Sequence, residues 1–278
     1  MPTDRYAVFG HPIRHSKSPR IHALFAEQTA QAMDYRAEDV PAANFRGAVR
    51  SFFSAGGKGL NCTVPLKELA WQIADFKSDR AQRARAVNTL AIREDARLFG
   101  DNTDGAGLLR DLTLNLNIEL CGRRVLLLGA GGASRGVIEP LLDRQPKSLI
   151  IANRTPEKAR QLASEFVDLG DIRGCGFGEL EGERFDLILN ATAASLSDEL
   201  PPLPDDVLAL NGCCYDLAYG NQPTAFVRWG IERRAAQSVD GIGMLVEQAA
   251  EAFFIWRGIR PATRPVIELL NAERRIKV

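Results

Sequence analysis

The feature that most constrains this chain is the stretch VLLLGAGGASRG, residues 125–136. An apolar run without alternation fits a strand covered on both faces, and so a parallel sheet flanked by helices. The run ends on Gly129, Gly131 and Gly132, and a helical pattern follows. Glycines at that junction let the backbone turn tightly and approach a diphosphate with no Cβ in the way. The start of the next helix offers free N–H groups and partial positive charge. The spacing departs from G-x-G-x-x-G, because Ser134 stands where the third small residue is expected. Taken alone, the loop also reads as an ordinary strand-to-helix turn.

Apolar runs alternate with helical patterns along nearly the whole chain, the mark of an α/β fold. Strands are predicted at 6–10, 35–40, 59–64, 88–92 and 97–103, with helices over 19–30, 45–53 and 66–74. A helix over 105–116 leads into a second unit. That unit has strands at 123–129, 148–153, 185–192 and 213–219, and helices at 134–144 and 156–166. Two last helical patterns, 240–256 and 264–275, have no strand partners of their own and are expected to return to the first unit. The expected domains are therefore 1–103 completed by helices within 242–278, and a doubly wound dinucleotide-binding domain over 104–241.

Composition narrows the function. The chain has 278 residues, 45% of them hydrophobic, enough for one or two cores. Lys+Arg and Asp+Glu each number 35, so the basic excess of a nucleic-acid binder is missing. The start, MPTDRYAVFGHP, lacks the pattern of a signal peptide, and no apolar run approaches bilayer length. Cys62, Cys121, Cys175, Cys213 and Cys214 are odd in number and irregularly spaced, which fits reduced thiols in a cytoplasm. His11, His15 and His22 make no zinc constellation, and no metal is expected.

The next strand end identifies the nucleotide. NAD-binding units carry Asp or Glu there for the ribose hydroxyls. Here the segment reads NRTPEK, with Asn153, Arg154, Thr155 and Lys158. A carboxylate would repel a 2′-phosphate, whereas a guanidinium grips it through paired, charge-assisted hydrogen bonds. The loop is therefore expected to serve NADP(H) rather than NAD(H), the alternative being that Arg154 and Lys158 are merely solvated.

A nicotinamide enzyme acting on an alcohol needs a group to take the hydroxyl proton. Zinc is not at hand, and none of Tyr6, Tyr35, Tyr215 and Tyr219 has a lysine four places on. The histidines crowd near one strand end, which leaves a lysine or a carboxylate. NCTVPLK supplies Asn61, Thr63 and Lys67; GDNTDG supplies Asp101, Asn102, Thr103 and Asp104; HSKSP adds Ser16 and Ser18. These polar groups fall at strand ends, where open α/β sheets bind small ligands.

The segments GHPIRHSKSP, SAGGKGLNCTVPLK, AVNTL, GDNTDG, LLLGAGGASRG, ANRT, ILNAT, YDLAY and DGIGMLVEQAA run in this order across almost the entire chain. Together they resemble the shikimate dehydrogenase family. The resemblance implies reversible, NADPH-dependent reduction of 3-dehydroshikimate to shikimate. It implies an N-terminal substrate-binding domain and a Rossmann domain between it and the C-terminal helices; two domains with ligands in the cleft suggest closure on binding. It also implies a small-molecule substrate, no nucleic acid and no membrane, and it allows a homodimer.

By the same resemblance Lys67 and Asp104 are the catalytic pair, and Ser16 and Ser18 bind the substrate carboxylate. Thr63, Asn88, Asp104, Tyr219 and Gln248 complete the substrate set, with Asn61 as support. Gly129, Ala130, Gly131, Gly132 and Ala133, with Asn153, Arg154, Thr155 and Lys158, match the NADP site. Gly241 and Leu217 fall near the nicotinamide, and Asp79 matches a peripheral cofactor contact. Each has an ordinary alternative: Ser16 and Ser18 as helix caps, Gln248 and Lys67 as solvated residues. Two departures stand out. Ser195 and Leu196 occupy N-A-T-x-x-G positions where glycine would permit a positive φ, and GNQPTAF lacks the usual T-P-F order after Tyr219. The rival readings are a quinate/shikimate dehydrogenase that accepts NAD, and a nucleotide-binding sensor without turnover.

Overall fold

Two six-stranded sheets organise the chain, one in each of two units. The structure is a computed structural model that describes residues 3–276. The first unit holds residues up to 108 together with 245–268, and the second holds 109–244 with the residues from 269 on.

In the first unit the chain runs β1 (Asp4–Gly10), α1 (Ser18–Gln28), β2 (Met33–Asp39), α2 (Phe45–Ser54), β3 (Gly57–Cys62) and α3 (Lys67–Ile73). It continues through β4 (Phe76–Lys77), α4 (Asp79–Ala84), β5 (Thr89–Ile92), β6 (Leu98–Asp101) and the first turns of α5 (Asp104–Arg110). The sheet order is β2-β1-β3-β5-β6-β4, with β5 antiparallel to both neighbours. Phe9, Phe45, Phe52, Leu60, Leu66 and Leu90 are buried in its core.

The second unit opens with the end of α5 and a five-residue π-helical turn, Asp111–Asn115. It runs β7 (Arg124–Leu128), α6 (Gly132–Leu142), β8 (Ser148–Ala152), α7 (Pro156–Ser164), β9 (Ile172–Cys175) and β10 (Phe185–Asn190). Then come β11 (Leu208–Asp216), α8 (Ala225–Glu232) and β12 (Gln237–Asp240). Its sheet is wholly parallel, in the order β12-β11-β10-β7-β8-β9. Val125, Leu126, Leu127 and Leu128 are each 0% exposed, as a strand covered on both faces requires. Burying each such side chain contributes roughly 1.5–3 kcal/mol. The strand order reverses between β7 and β10, the place where doubly wound sheets bind ligands beyond the strand ends. Two last helices, α9 (Ile242–Arg257) and α10 (Arg264–Ile276), end the chain.

The expected boundaries need correction. The division falls at 108/109 and 244/245 rather than 103/104 and 241/242, and the last residues of α10 group with the second unit. The reasons are local. Asp104 is tied by hydrogen bonds to Lys67 and Asn88 of the first unit. Met244 donates its backbone N–H to the Tyr215 hydroxyl of the second (3.3 Å). Arg274 pairs with Asp240 and donates to the Gly220 carbonyl (3.1 Å), which holds the end of α10 in the second unit.

Candidate active site

Lys67 opens α3 immediately after a turn in which Leu66 donates its N–H to Thr63 O (2.7 Å). A lysine there is ordinarily solvated, yet its side chain is only 15% exposed. Its Nζ donates to Asp104 Oδ2 at 2.5 Å, and the Asp104 side chain is 7% exposed. Asp104 is the first residue of α5, where the helix dipole favours a carboxylate. Its other oxygen, Oδ1, accepts from Asn88 Nδ2 (2.8 Å). The same Asn88 amide lies 2.9 Å from Thr103 Oγ1 and 3.2 Å from Gln248 Oε1. A buried ion pair stays intact only when its remaining lone pairs and protons are satisfied, and removing one partner costs about 3–5 kcal/mol. Burial pushes the neighbouring Cys62 thiol up, against the pull of the Lys67 charge.

A buried brace stands behind this pair. Asn61, at the end of β3, donates Nδ2 to Asn88 O and Thr89 Oγ1 (both 3.0 Å) and accepts from the Tyr35 hydroxyl (2.6 Å). Thr89 in turn donates to Asn88 Oδ1 (2.9 Å). The Asn88 carboxamide is thus fixed from both ends, and its donor edge is aimed at Asp104 and Gln248.

An ionic network secures the flanks. Arg80 binds Asp101 through two 2.7 Å bonds and reaches Glu251 on α9 at 3.2 Å. Burial pulls the Arg80 guanidinium down, but the two carboxylates outweigh it and its pKa lies above the ordinary value. Arg260 pairs with Glu251 and with the buried Glu247, and Thr263 donates to Glu247 (2.6 Å). Glu247 precedes Gln248, so the network fixes the α9 turn that presents this amide. Sequence reasoning assigns no role to Arg80, Glu247 or Glu251, because their pairing spans up to 171 positions and leaves no local pattern.

The other expected substrate residues are spread over both units. Ser16 Oγ accepts the Ser18 backbone N–H (3.3 Å), while the N-cap position of α1 is Lys17 and makes no side-chain cap. Thr63 is half-buried beside Lys67. Gln248 is half-buried rather than solvated. Tyr219 follows β11 in the second unit, and Asp79 is exposed on the first turn of α4 in the first.

In the second unit the glycine turn follows β7 as expected. Gly129 has φ +103°, and a Cβ there would lie 3.1 Å from the Ala191 carbonyl oxygen. Added Cβ atoms on Gly131 or Gly132 would meet nothing within 4 Å. Gly131 is the N-cap of α6 and provides no side-chain cap, so no cap side chain takes the first N–H groups of the helix, beside Ala130 and Ala133. Ser134 is buried and donates Oγ to the Gly129 carbonyl (2.8 Å), which explains why the third small position tolerates a hydroxyl. At the end of β8, Asn153 Nδ2 donates to Thr155 O (2.9 Å). Arg154, Thr155 and Lys158 are exposed. This set fits a phosphorylated dinucleotide: backbone donors for a diphosphate, and two exposed cations for a further phosphate.

The loop after β10 departs from expectation. Ser195 lies in a short 3₁₀ turn, Ala194–Ser197, and the positive φ (+55°) falls on Asp198 instead. Position 195 therefore does without the positive φ that a glycine would permit there. Thr224 explains the altered order after Tyr219: it is the N-cap of α8 and accepts the Val227 N–H (3.2 Å).

Comparison with known proteins agrees with this geometry. Residues 8–90 match the shikimate dehydrogenase substrate binding domain, 112–197 the shikimate / quinate 5-dehydrogenase family, and 241–270 the shikimate 5′-dehydrogenase C-terminal domain. The chain is 66% identical to the shikimate dehydrogenase (NADP(+)) of Methylococcus capsulatus, over 98% of each. Among solved structures it resembles an Ael1 enzyme from Pseudomonas putida, at TM-score 0.88 and 50% identity over 96% of this chain and 98% of that one. It also resembles the Thermus thermophilus shikimate 5-dehydrogenase in complex with NADP(H) and shikimate, at TM-score 0.85 and 35% identity with the same coverage. A Lys–Asp pair braced by asparagines, a glycine turn on a parallel sheet and this likeness along the full chain converge: the chain belongs to the shikimate dehydrogenase (NADP+) family.

Proposed function

We propose that this chain catalyses the reversible reduction of 3-dehydroshikimate to shikimate with NADPH, within the route to chorismate and the aromatic amino acids. The observation that carries the proposal is the 2.5 Å Lys67–Asp104 pair, held by the Asn88 amide. When bound, NADPH supplies the hydride. The Lys67 ammonium donates a proton to the oxygen that becomes the hydroxyl and stabilises its developing charge. Asp104 keeps Lys67 oriented and accepts a substrate hydroxyl. Asn88, Thr63, Gln248 and Tyr219 bind the remaining hydroxyls, and the Ser16 and Ser18 hydroxyls take the carboxylate. Asn61 positions Asn88.

Gly129, Ala130, Gly131, Gly132 and Ala133 are proposed to hold the cofactor diphosphate, while Asn153, Arg154, Thr155 and Lys158 hold the 2′-phosphate. Leu217 and Gly241 contact the nicotinamide end, and Asp79 is a peripheral contact. The substrate site belongs to the first domain and the cofactor site to the second. The enzyme is proposed to work in the cytoplasm, in line with five free thiols and with no described helix long and apolar enough to cross a membrane. A homodimer is part of the proposal, and sedimentation at micromolar concentration tests it.

Shikimate and quinate, each assayed with NADP and NAD, test the reading. The expected result is highest kcat/KM for shikimate with NADP. Equal values with NAD would remove the cofactor assignment, and NADPH binding without shikimate turnover would leave a sensor.

A further inference from the structure

Asp216 ends β11 and is fully buried, and its hydrogen-bond partners are neutral: Ser195, Thr224, Asn190 and the Ala218 N–H. Burial raises its pKa, and hydrogen-bond donors pull in the other direction. Ser195 Oγ donates to Oδ2 at 2.5 Å and Thr224 Oγ1 at 2.6 Å. On Oδ1, the Ala218 N–H donates at 3.0 Å and Asn190 Nδ2 at 3.3 Å. Asn190 and Asp216 are register partners at the ends of the adjacent strands β10 and β11, one strand away from the β7–β10 reversal. The carboxylate therefore joins the loop after β10, the chain after β11 and the start of α8.

Both ends of the proposed cofactor site touch these segments. On one side the Gly129 turn lies against Ala191 and Thr192, so that a Cβ there would sit 3.1 Å from the Ala191 carbonyl oxygen. Thr192 is itself held by Asn190 Oδ1, through its N–H (3.1 Å) and its hydroxyl (2.7 Å). On the other side Leu217 donates its N–H to Asn190 O (2.8 Å), and Gly241 donates its own to Ala218 O (3.0 Å). A Cβ on Gly241 would collide with the Leu217 carbonyl. A continuous run of contacts thus leads from the diphosphate turn to the nicotinamide end, and Ser195 and Asn190 close it onto Asp216.

We propose that Ser195, through its hydrogen bond to Asp216, is a positioning residue that sets the spacing between the diphosphate turn and the Leu217–Gly241 contact. The inference rests on the dehydrogenase reading above. A glycine at 195 could not make this bond, so the serine adds a tie that the backbone alone lacks. Without the hydroxyl, the loop and the Leu217 segment lose their shared anchor, and the cofactor is held less firmly at both ends. Hydride transfer depends on angstrom-level placement and suffers more than binding of the organic acid.

The test compares wild type, Ser195→Ala and Ser195→Thr. NADPH affinity is read by fluorescence titration, kcat and both KM values by initial rates, and the isotope effect on kcat with NADPH deuterated at the transferred position. Ser195→Ala is expected to weaken NADPH by about 2–10-fold, the worth of one hydrogen bond. It should also lower kcat, raise the isotope effect as chemistry becomes rate-limiting, and leave the KM for the organic acid within about 2-fold. Ser195→Thr, which keeps a hydroxyl, should restore all three. Wild-type NADPH affinity, kcat and isotope effect in Ser195→Ala would overturn the proposal, even with a lower Tm, because the bond would then serve stability alone. Should Ser195→Ala fail to fold, Asp216→Asn in the same assays decides by the same criteria, since it keeps the shape but replaces one acceptor with a donor facing two hydroxyls. The dehydrogenase reading fails separately, if wild type does not turn over shikimate with NADP, whereas the NADPH titrations still compare the variants.

Discussion

The Lys67 region and the glycine-turn region are built on opposite plans. Around Lys67, the proposed chemistry rests on side chains that are buried, bonded at nearly every polar atom and drawn from segments far apart in the chain. Around Gly129 the proposed cofactor binding rests on backbone groups and on the exposed cations Arg154 and Lys158. The first plan fixes the direction of a proton and a set of hydroxyls. On the same proposal, the second accepts a long, charged ligand and leaves selectivity to a few surface charges. Damage in the first region should therefore strike chemistry and stability together, whereas damage in the second should strike nucleotide choice alone.

The strongest test of that contrast is Lys67→Ala. It is expected to lower kcat by about 10²-fold or more, as loss of a proton donor does, with little change in substrate binding. Because Asp104 is then left buried without its partner, stability should also fall, by about 3–5 kcal/mol. Initial rates and urea unfolding measure the two effects, and a variant with wild-type kcat would remove Lys67 from the mechanism.

Arg154→Ala should break the other side of the comparison. A charge-assisted hydrogen bond is worth about 1.5–3 kcal/mol, so NADPH should weaken roughly 10–150-fold while NADH changes little. Tm should not move, since Arg154 is exposed. Parallel loss for both nucleotides would mean that Arg154 does not read the 2′-phosphate.

The same contrast explains what was legible in the sequence. The cofactor turn is local: an apolar strand, glycines and a helix follow one another, and NRT lies at the next strand end. The central strands β7, β8 and β10 were readable because burial on both faces leaves continuous apolar runs. The short or polar elements β4, α4, β9, α8 and β12 escaped. In QSVD of β12, for instance, no period points to a sheet, and pairing with β11 decides. Around Lys67 the residue types could be named, but not the burial of the lysine or the brace behind it. Tyr35, Asn61 and Asn88 meet only because β2, β1, β3 and β5 lie side by side. The role of Ser195 was not legible for the same reason: its partner Asp216 is set by strand register, not by sequence distance.

Asn61→Ala probes that brace with a smaller expected effect. Losing Asn61 leaves the Tyr35 hydroxyl and Thr89 short of a partner, which should cost about 1–3 kcal/mol of stability. It should also lower kcat/KM for the organic acid several-fold, while the NADPH affinity stays at the wild-type value. An equal loss in NADPH affinity would show that the two plans are not separable.

The smallest effect concerns the acid sensitivity of the side-chain-built unit. His22 is fully buried between Tyr35, stacked at a 4.1 Å centroid distance, and Phe25, Phe253 and Trp256. Burial lowers its pKa to about 3 from 6.5, with Asn61 pulling the other way. In the unfolded chain the imidazole takes a proton below about pH 6.5, while in the folded chain it stays neutral to about pH 3. The stabilisation is therefore complete above pH 6.5 and declines as the pH falls toward 3, by at most about 1.4 kcal/mol per unit. His22→Phe keeps a flat ring on Tyr35 and cannot titrate. Urea unfolding between pH 7 and pH 5 should show a shallower loss of stability in the variant than in wild type, whatever the other carboxylates contribute to both. Identical slopes would mean that the ring is protonated alike in both states, and the acid sensitivity of this unit would then have to come from its carboxylates.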